Sequence, residues 1–184
     1  MNWRLNLPLL AFFAAIIAYI VMFERHTLSD SELEGRETTL LPDFVLKHVS
    51  EIDLTYDGER LLFEQHQSNT AQPTWSLKRP KIKKPNRDAI DSLLATLEWT
   101  EALRRLEDVD AADRHALGFD APRLTVRYRV GKSWRTVRIG NDDVRAQGVY
   151  VNVDDSETVF VAPSDFLSTL KKPGSAYFED QAIP

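Results

Sequence analysis

Alternation of apolar and polar residues in the second half of the chain constrains the fold more than any other feature. It runs through residues 124–130, and Gly131-Lys132 separates that stretch from a second one, "SWRTVRIG". A period of two residues sends successive side chains to opposite faces of a strand, and a two-residue turn between two such runs is typical of an antiparallel hairpin. The sequence therefore predicts an antiparallel sheet with one apolar and one polar face.

The remaining pattern adds short strands and helices to this hairpin. Asp57-Gly58 lies between "SEIDLTY" and "RLLFEQH" and predicts another hairpin, followed by a short strand, "TWSL". Asn86 is a suitable N-cap for a helix over residues 87–98, whose apolar residues recur at helical spacing. A last hairpin around Asp154-Asp155 and a closing helix from Ser164 follow.

The two halves show a similar order of elements. Residues 49–98 and 122–171 each contain a hairpin, further strand sequence and a helix, and "SLLATL" and "DFLSTL" end the two helices. We therefore predict the α+β class: an antiparallel β-rich domain with short helices, built from a duplicated β-β-β-α unit and preceded by a single transmembrane helix.

That transmembrane helix is predicted from the uncharged stretch that begins at Leu7, includes Phe12 and Ile17, and ends at Phe23. Its length is near the lower limit of the roughly 17–25 residues that cross a bilayer as a helix. A cleaved signal peptide has a shorter apolar region and a small-x-small exit site. The stretch instead ends in bulky residues, which favours an uncleaved signal anchor.

This interpretation divides the chain into three parts. Residues 1–26 form the anchor, residues 27–39 a polar stalk, and residues 40–184 an extracytoplasmic α+β domain. Basic residues are nearly balanced on the two sides of the span, so the positive-inside rule hardly discriminates between the two orientations. We expect the bacterial inner membrane, with the N-terminus in the cytoplasm and the domain outside it.

Composition excludes several classes of function. The net charge of −5 argues against a nucleic-acid partner, and the lack of cysteine excludes disulfides, thiolate metal sites and thiol nucleophiles. The sequence has no nucleophile-elbow motif, no histidine pair at ligand spacing and no glycine-rich phosphate loop. We expect no enzyme activity, no cofactor and no metal; a small-molecule ligand is left open.

A basic run is the most distinctive local feature. Six positive charges fall within ten residues: Lys78, Arg79, Lys81, Lys83, Lys84 and Arg87. Such a run suits an anionic partner, namely lipid headgroups, an acidic protein or an anionic polymer. A solvated loop that balances nearby acidic residues is the alternative interpretation.

A second set of surface residues comes from the predicted hairpin. Its polar positions would expose one face of the sheet, made of Arg127, Arg129, Trp134 and Arg138. Trp134 falls opposite the apolar positions, so it could offer a ring on which sugars stack. The arginines could equally be ordinary exposed strand residues that discourage aggregation.

Longer segments resemble a known family. The order "FERHTLSDSELE", a hairpin, "TWSL", "AIDSLLATLEW", "ALGFDAPRLTV" and "VYVNVDDSETVFVAPSDFLSTL" resembles the bacterial domain-of-unknown-function family 4340. This resemblance implies a membrane-anchored, β-rich extracytoplasmic protein whose gene often lies beside gliding-motility-type ABC transporter components. It implies no catalytic residues, and the basic run departs from the family pattern.

These observations together predict a non-enzymatic, membrane-anchored accessory or scaffold subunit of a cell-envelope ABC-type transport complex. Its extracytoplasmic domain would bind protein partners. The alternative is a module that binds an envelope glycan or lipid.

Overall fold

The computed structural model describes residues 12–17, 36, 38–66, 74–79, 84–143, 145 and 147–179, without the side chain of Lys47. It contains two compact units, Met1–Arg36 and Glu37–Pro184. In the first unit, residues 12–17 are helical and the side chains of Phe12 and Ile17 are exposed.

The structure corrects the predicted fold class at the N-terminus. Leu7 and Phe23, the ends of the predicted span, lie outside the described residues, and so does most of the predicted stalk. Within the part of the chain that is described, no helix combines the length and the apolar character needed to cross a membrane. The α+β class with an N-terminal transmembrane helix is therefore wrong as stated.

The second unit is dominated by one eight-stranded antiparallel sheet with strand order β3-β2-β1-β5-β6-β7-β8-β4. Along the chain the strands are β1 (Val49–Tyr56), β2 (Glu59–His66), β3 (Thr74–Arg79), β4 (Arg104–Leu106), β5 (Leu124–Val130), β6 (Ser133–Asp143), β7 (Gly148–Val153) and β8 (Val159–Pro163). Five of the seven pairings join strands that are consecutive in the chain, and the other two join β1 with β5 and β8 with β4.

Left-handed backbone conformations explain the tight turns. Asp57 and Gly58 both have positive φ angles, 49° and 77°, as a two-residue hairpin turn requires. Asp154 and Asp155 adopt φ angles of 52° and 57° between β7 and β8. Aspartate tolerates this region better than most residues, so the local sequence sets the positions of these turns.

The predicted duplication is also corrected. The first half has three strands, β1, β2 and β3, before its helix. The second half has four consecutive strands, β5 to β8, before its helix, and all eight strands join a single sheet. The two halves therefore differ by one strand, and the second half contains both hairpins that the sequence predicts.

Two helices, α1 (Arg87–Trp99) and α3 (Ser164–Leu170), cover one face of the sheet. A third short helix, α2 (Ala111–Ala116), buries none of its residues. Turns of 3-10 helix occur at Leu46–His48 and Gly174–Tyr177. Asn86 caps α1 by accepting a hydrogen bond from the Ala89 N–H, as predicted. Helices α1 and α3 bury their apolar residues against the sheet, chiefly Ile90, Leu93, Leu94, Leu97, Phe166, Leu167 and Leu170.

A second, smaller cluster lies apart from this core. It consists of Val109, Phe119 and Val159, with Leu106, Leu117 and Tyr150 packed around it. The Asn141 N–H donates to the Leu117 carbonyl at 2.8 Å. A Cβ atom at Gly140 would lie 2.2 Å from the same oxygen. Close packing of the segment after α2 therefore requires glycine at position 140.

Candidate functional site

Three residues of the predicted basic run form ion pairs within the described part of the domain. Lys78 lies 2.6 Å from Glu64, and this hydrogen bond lowers the pKa of the Glu64 carboxyl. Lys84 lies 2.6 Å from Glu179, and the Arg87 guanidinium lies 3.6 Å from Asp91. Arg79 is exposed at the end of β3, whereas Lys81 and Lys83 lie outside the described residues.

The second predicted set, by contrast, comes together on one face of the sheet. Arg127 and Arg129 alternate with buried residues of β5 and therefore lie on the face opposite the main core. In the β5–β6 register, Arg129 stands across from Trp134, and Thr125 stands across from Arg138.

Within this set, each side chain is already occupied by a contact inside the domain. The guanidinium carbon of Arg127 lies 4.9 Å from the centre of the Trp134 ring, a cation–π arrangement. Arg129 donates to Glu51 at 2.6 Å, and Arg138 donates to Asp155. The Trp134 residue is 36% exposed. A sugar could stack on that face of the ring only after Arg127 had moved away.

A different surface carries the most exposed large apolar side chains of the described part of the domain. Trp99 is 61% exposed and Leu103 is 53% exposed. Trp99 follows the buried Leu97 by two positions, which is about 200° around a helix with 3.6 residues per turn. The apolar stripe that holds α1 on the sheet therefore turns Trp99 away from the core.

These two residues border a groove between α1 and α3, which we call the helix groove. Its volume is about 560 Å³. The residues that line it are Ser92, Ala95, Thr96, Trp99, Thr100, Glu101, Leu103, Pro163, Asp165, Phe166 and Thr169. Two of them, Glu101 and Asp165, are acidic and exposed, and no lysine or arginine is among them. The groove thus combines apolar contact area with negative charge.

Buried charged groups serve the fold rather than this groove. Asp143 is only 2% exposed and accepts a hydrogen bond from Arg104 at 2.7 Å and from the Arg145 N–H at 3.0 Å. Burial, and then the charge of Asp143, raise the pKa of the Tyr150 phenol. Among the described residues, no group of three histidine or acidic side chains is placed to hold a metal ion.

Comparison with known proteins identifies the family. Residues 75–183 match the family described as Domain of unknown function (DUF4340). That match covers more than half of the 184 residues. The chain belongs to the DUF4340 family.

The predicted resemblance to this family is thereby confirmed. The matched residues include the helix groove and part of the strand face described above. The match begins at Trp75 in β3 and includes α1, α3, the helix groove and the strand face at Arg127. It leaves out β1 and β2, although β1 lies beside β5 in the middle of the sheet. No curated protein and no solved structure gives a significant match.

The helix groove was not predicted from the sequence. One signal was present: Trp99 lies outside the apolar stripe of an otherwise regular amphipathic helix. Leu103 gave no comparable signal, because the stretch between α1 and β4 follows neither a helical nor a strand period.

Proposed function

We propose that this DUF4340 protein is a non-enzymatic accessory or scaffold subunit of a cell-envelope ABC-type transport complex, and that the helix groove binds its protein partner. The exposure of Trp99 and Leu103 beside the groove carries this proposal. Tryptophan is enriched among the residues that dominate binding energy at protein interfaces, and exposed apolar side chains around a groove are typical of such sites.

The charge of the groove specifies the partner further. Glu101 and Asp165 supply negative charge beside the apolar side chains. A partner segment with one or two large apolar side chains and flanking lysine or arginine residues would complement both properties. A short amphipathic helix of another subunit meets these requirements.

The place of the protein in a transport complex rests on its resemblance to membrane-anchored members of the family. We extend the proposal to the inner membrane of a bacterium, with the β domain outside the cytoplasm.

The alternative function, binding of an envelope glycan, has weaker support. On the strand face, where a glycan module would present an open ring, the Arg127 guanidinium stands over the Trp134 ring instead.

Affinity purification of the full-length protein from its native membrane in mild detergent, followed by mass spectrometry, tests the proposal. We expect transporter subunits in stoichiometric amount with the wild-type protein. The double variant Trp99→Ala/Leu103→Ala should lose them. Trp134→Ala is the matched control, since it removes another exposed tryptophan from the opposite face of the sheet and should keep the partner.

Two outcomes would count against the proposal. Purification of the wild-type protein without a partner would contradict the accessory role. Loss of the partner with Trp134→Ala, but not with the double variant, would transfer the interface from the helix groove to the strand face.

A further inference from the structure

A larger depression lies at the end of the sheet where β1 turns into β2, against the segment Lys171–Phe178 that follows α3. We call this segment the C-terminal strap and the depression the strap cleft. Its volume is about 990 Å³. The residues that line it are Tyr56, Asp57, Glu59, Arg60, Leu61, Arg79, Lys171, Lys172, Pro173, Gly174, Ser175 and Phe178. Ligand sites in proteins commonly have volumes of about 300–1,000 Å³.

The strap is held in place by contacts to the sheet and to α1. The Tyr56 hydroxyl donates to the Lys172 carbonyl at 2.7 Å. The Asn86 N–H donates to the Tyr177 carbonyl at 2.8 Å, and Pro85 forms a bridge with Phe178. One wall of the cleft is therefore formed before any ligand arrives, which reduces the entropy lost on binding.

The charges of the cleft are only partly neutralised. Lys171 lies 2.8 Å from Asp57, and Arg60 lies 2.5 Å from Asp53. Arg79 and Lys172, in contrast, form no ion pair with any other residue in the described part of the chain. The lining as a whole has four basic and two acidic residues. Positive charge therefore remains available to an anion at this cleft.

Apolar groups complete the lining. Tyr56, Leu61, Pro173 and Phe178 belong to it, so the same cleft offers both cations and apolar surface. Guanidinium and ammonium groups form strong charge-assisted hydrogen bonds to phosphate and carboxylate oxygens. A ligand that used the whole cleft would carry an anionic group joined to an apolar group.

We propose that the strap cleft binds a small amphiphilic anion through Arg79 and Lys172, with its apolar part against Leu61, Pro173 and Phe178. This site is separate from the helix groove, and it adds a small-molecule ligand to the proposed scaffold role. A phosphate monoester and a carboxylate share the chemistry required, so both are included in the test.

Isothermal titration calorimetry with the full-length protein tests the proposal, with phenyl phosphate and benzoate as water-soluble probes. We expect at least one of them to bind more tightly than inorganic phosphate, which lacks the apolar part, and than benzylamine, which has the opposite charge. The probe that binds distinguishes a phosphate ligand from a carboxylate ligand. Failure of both probes to bind, or equal binding of inorganic phosphate, would overturn the proposal.

Substitutions then locate the site. The variant Arg79→Gln/Lys172→Gln should weaken binding of the probe about tenfold or more, because it removes both uncompensated charges. Glu59→Gln should strengthen binding, since it removes an acidic residue from the lining. Lys132→Gln is the matched control, because Lys132 is exposed in the β5–β6 turn at the opposite end of the β1–β5 pair.

An unchanged urea midpoint would show that the exposed substitutions leave the fold intact. An equal loss of affinity in Lys132→Gln and in the double variant would show general charge attraction and overturn the assignment.

Discussion

The phenol of Tyr56 donates a hydrogen bond of 2.7 Å to the carbonyl oxygen of Lys172, 116 residues further along the chain. This bond joins the last residue of β1 to the C-terminal strap. It therefore connects the stability of the sheet to the shape of the strap cleft, and the two can be measured separately.

Tyr56→Phe should lower the free energy of unfolding by about 1 kcal/mol, because it removes one hydrogen bond and leaves the Lys172 carbonyl without this donor. It should also weaken binding of the phenyl phosphate or benzoate probe, since the strap loses an anchor. Urea denaturation and calorimetry measure the two effects.

Tyr128→Phe is the control for this variant. Tyr128 is buried in β5, its phenol interacts with the Arg135 side chain, and it belongs neither to the strap nor to the lining of the cleft. It should cost similar stability and leave probe affinity unchanged. An equal loss of affinity in both variants would mean that stability alone controls binding.

Alkaline pH should destabilise the domain over a defined range. Burial, reinforced by nearby carboxylates, raises the pKa of Tyr56 to about 12, and burial raises the pKa of Tyr128 to about 12 as well. An unfolded tyrosine ionises near pH 10. The folded state therefore keeps protons that the unfolded state loses, so this stability is complete below about pH 10 and is lost as the pH rises towards 12.

The expected slope is about 1.4 kcal/mol per pH unit for each such tyrosine. Urea denaturation at about pH 9, 10 and 11 measures this slope. Tyr56→Phe should lower it by the contribution of one titrating group, about 1.4 kcal/mol per pH unit at most. A slope that is the same in this variant and in the wild type would contradict the assignment to Tyr56.

The ion pair between Arg104 and Asp143 should contribute more to the free energy of unfolding than the neighbouring pair of Arg105 and Glu107. Arg104→Gln should cost about 2 kcal/mol, because it leaves the buried Asp143 carboxylate without its cation. Arg105→Gln should cost about 0–1 kcal/mol, since Arg105 and Glu107 are both mostly exposed. Equal costs in denaturation experiments would show that Asp143 gains little from Arg104.

A double-mutant cycle can measure the contact between Arg127 and Trp134. Their coupling energy should be about 0.5–1 kcal/mol, the range for an exposed cation–π pair. Urea denaturation of Arg127→Ala, Trp134→Ala and the double variant provides it. A coupling near zero would mean that Arg127 does not hold its position over the ring, and the strand face would again be a reasonable glycan platform.

Local elements were predictable because their signals are local. Asp57-Gly58 marks a turn, Asn86 caps α1, and the alternation of residues 124–130 gives β5 and its buried face. Each of these depends on the conformational preferences of a few adjacent residues. The closing helix near Ser164 was found for the same reason.

Pairing between distant segments was not predictable. β4 has only three residues, and it is a strand because β8 offers it a partner. The strap cleft combines residues from β1, β2, β3 and the strap, which no periodicity relates to one another. Glu51 and Arg129 are both polar strand residues in the sequence, and only the β1–β5 register makes them a pair.

The β1–β5 pairing also has a consequence for synthesis of the chain. In that register Leu54 lies opposite Val126. Because β1 ends at Tyr56 and β5 begins only at Leu124, β1 can pair only with β2 until β5 has been synthesised. Before that point the nascent chain exposes an unpaired strand edge, of the kind that pairs with other chains and aggregates. The DUF4340 protein should therefore depend most on chaperones in the interval between synthesis of residues 56 and 130.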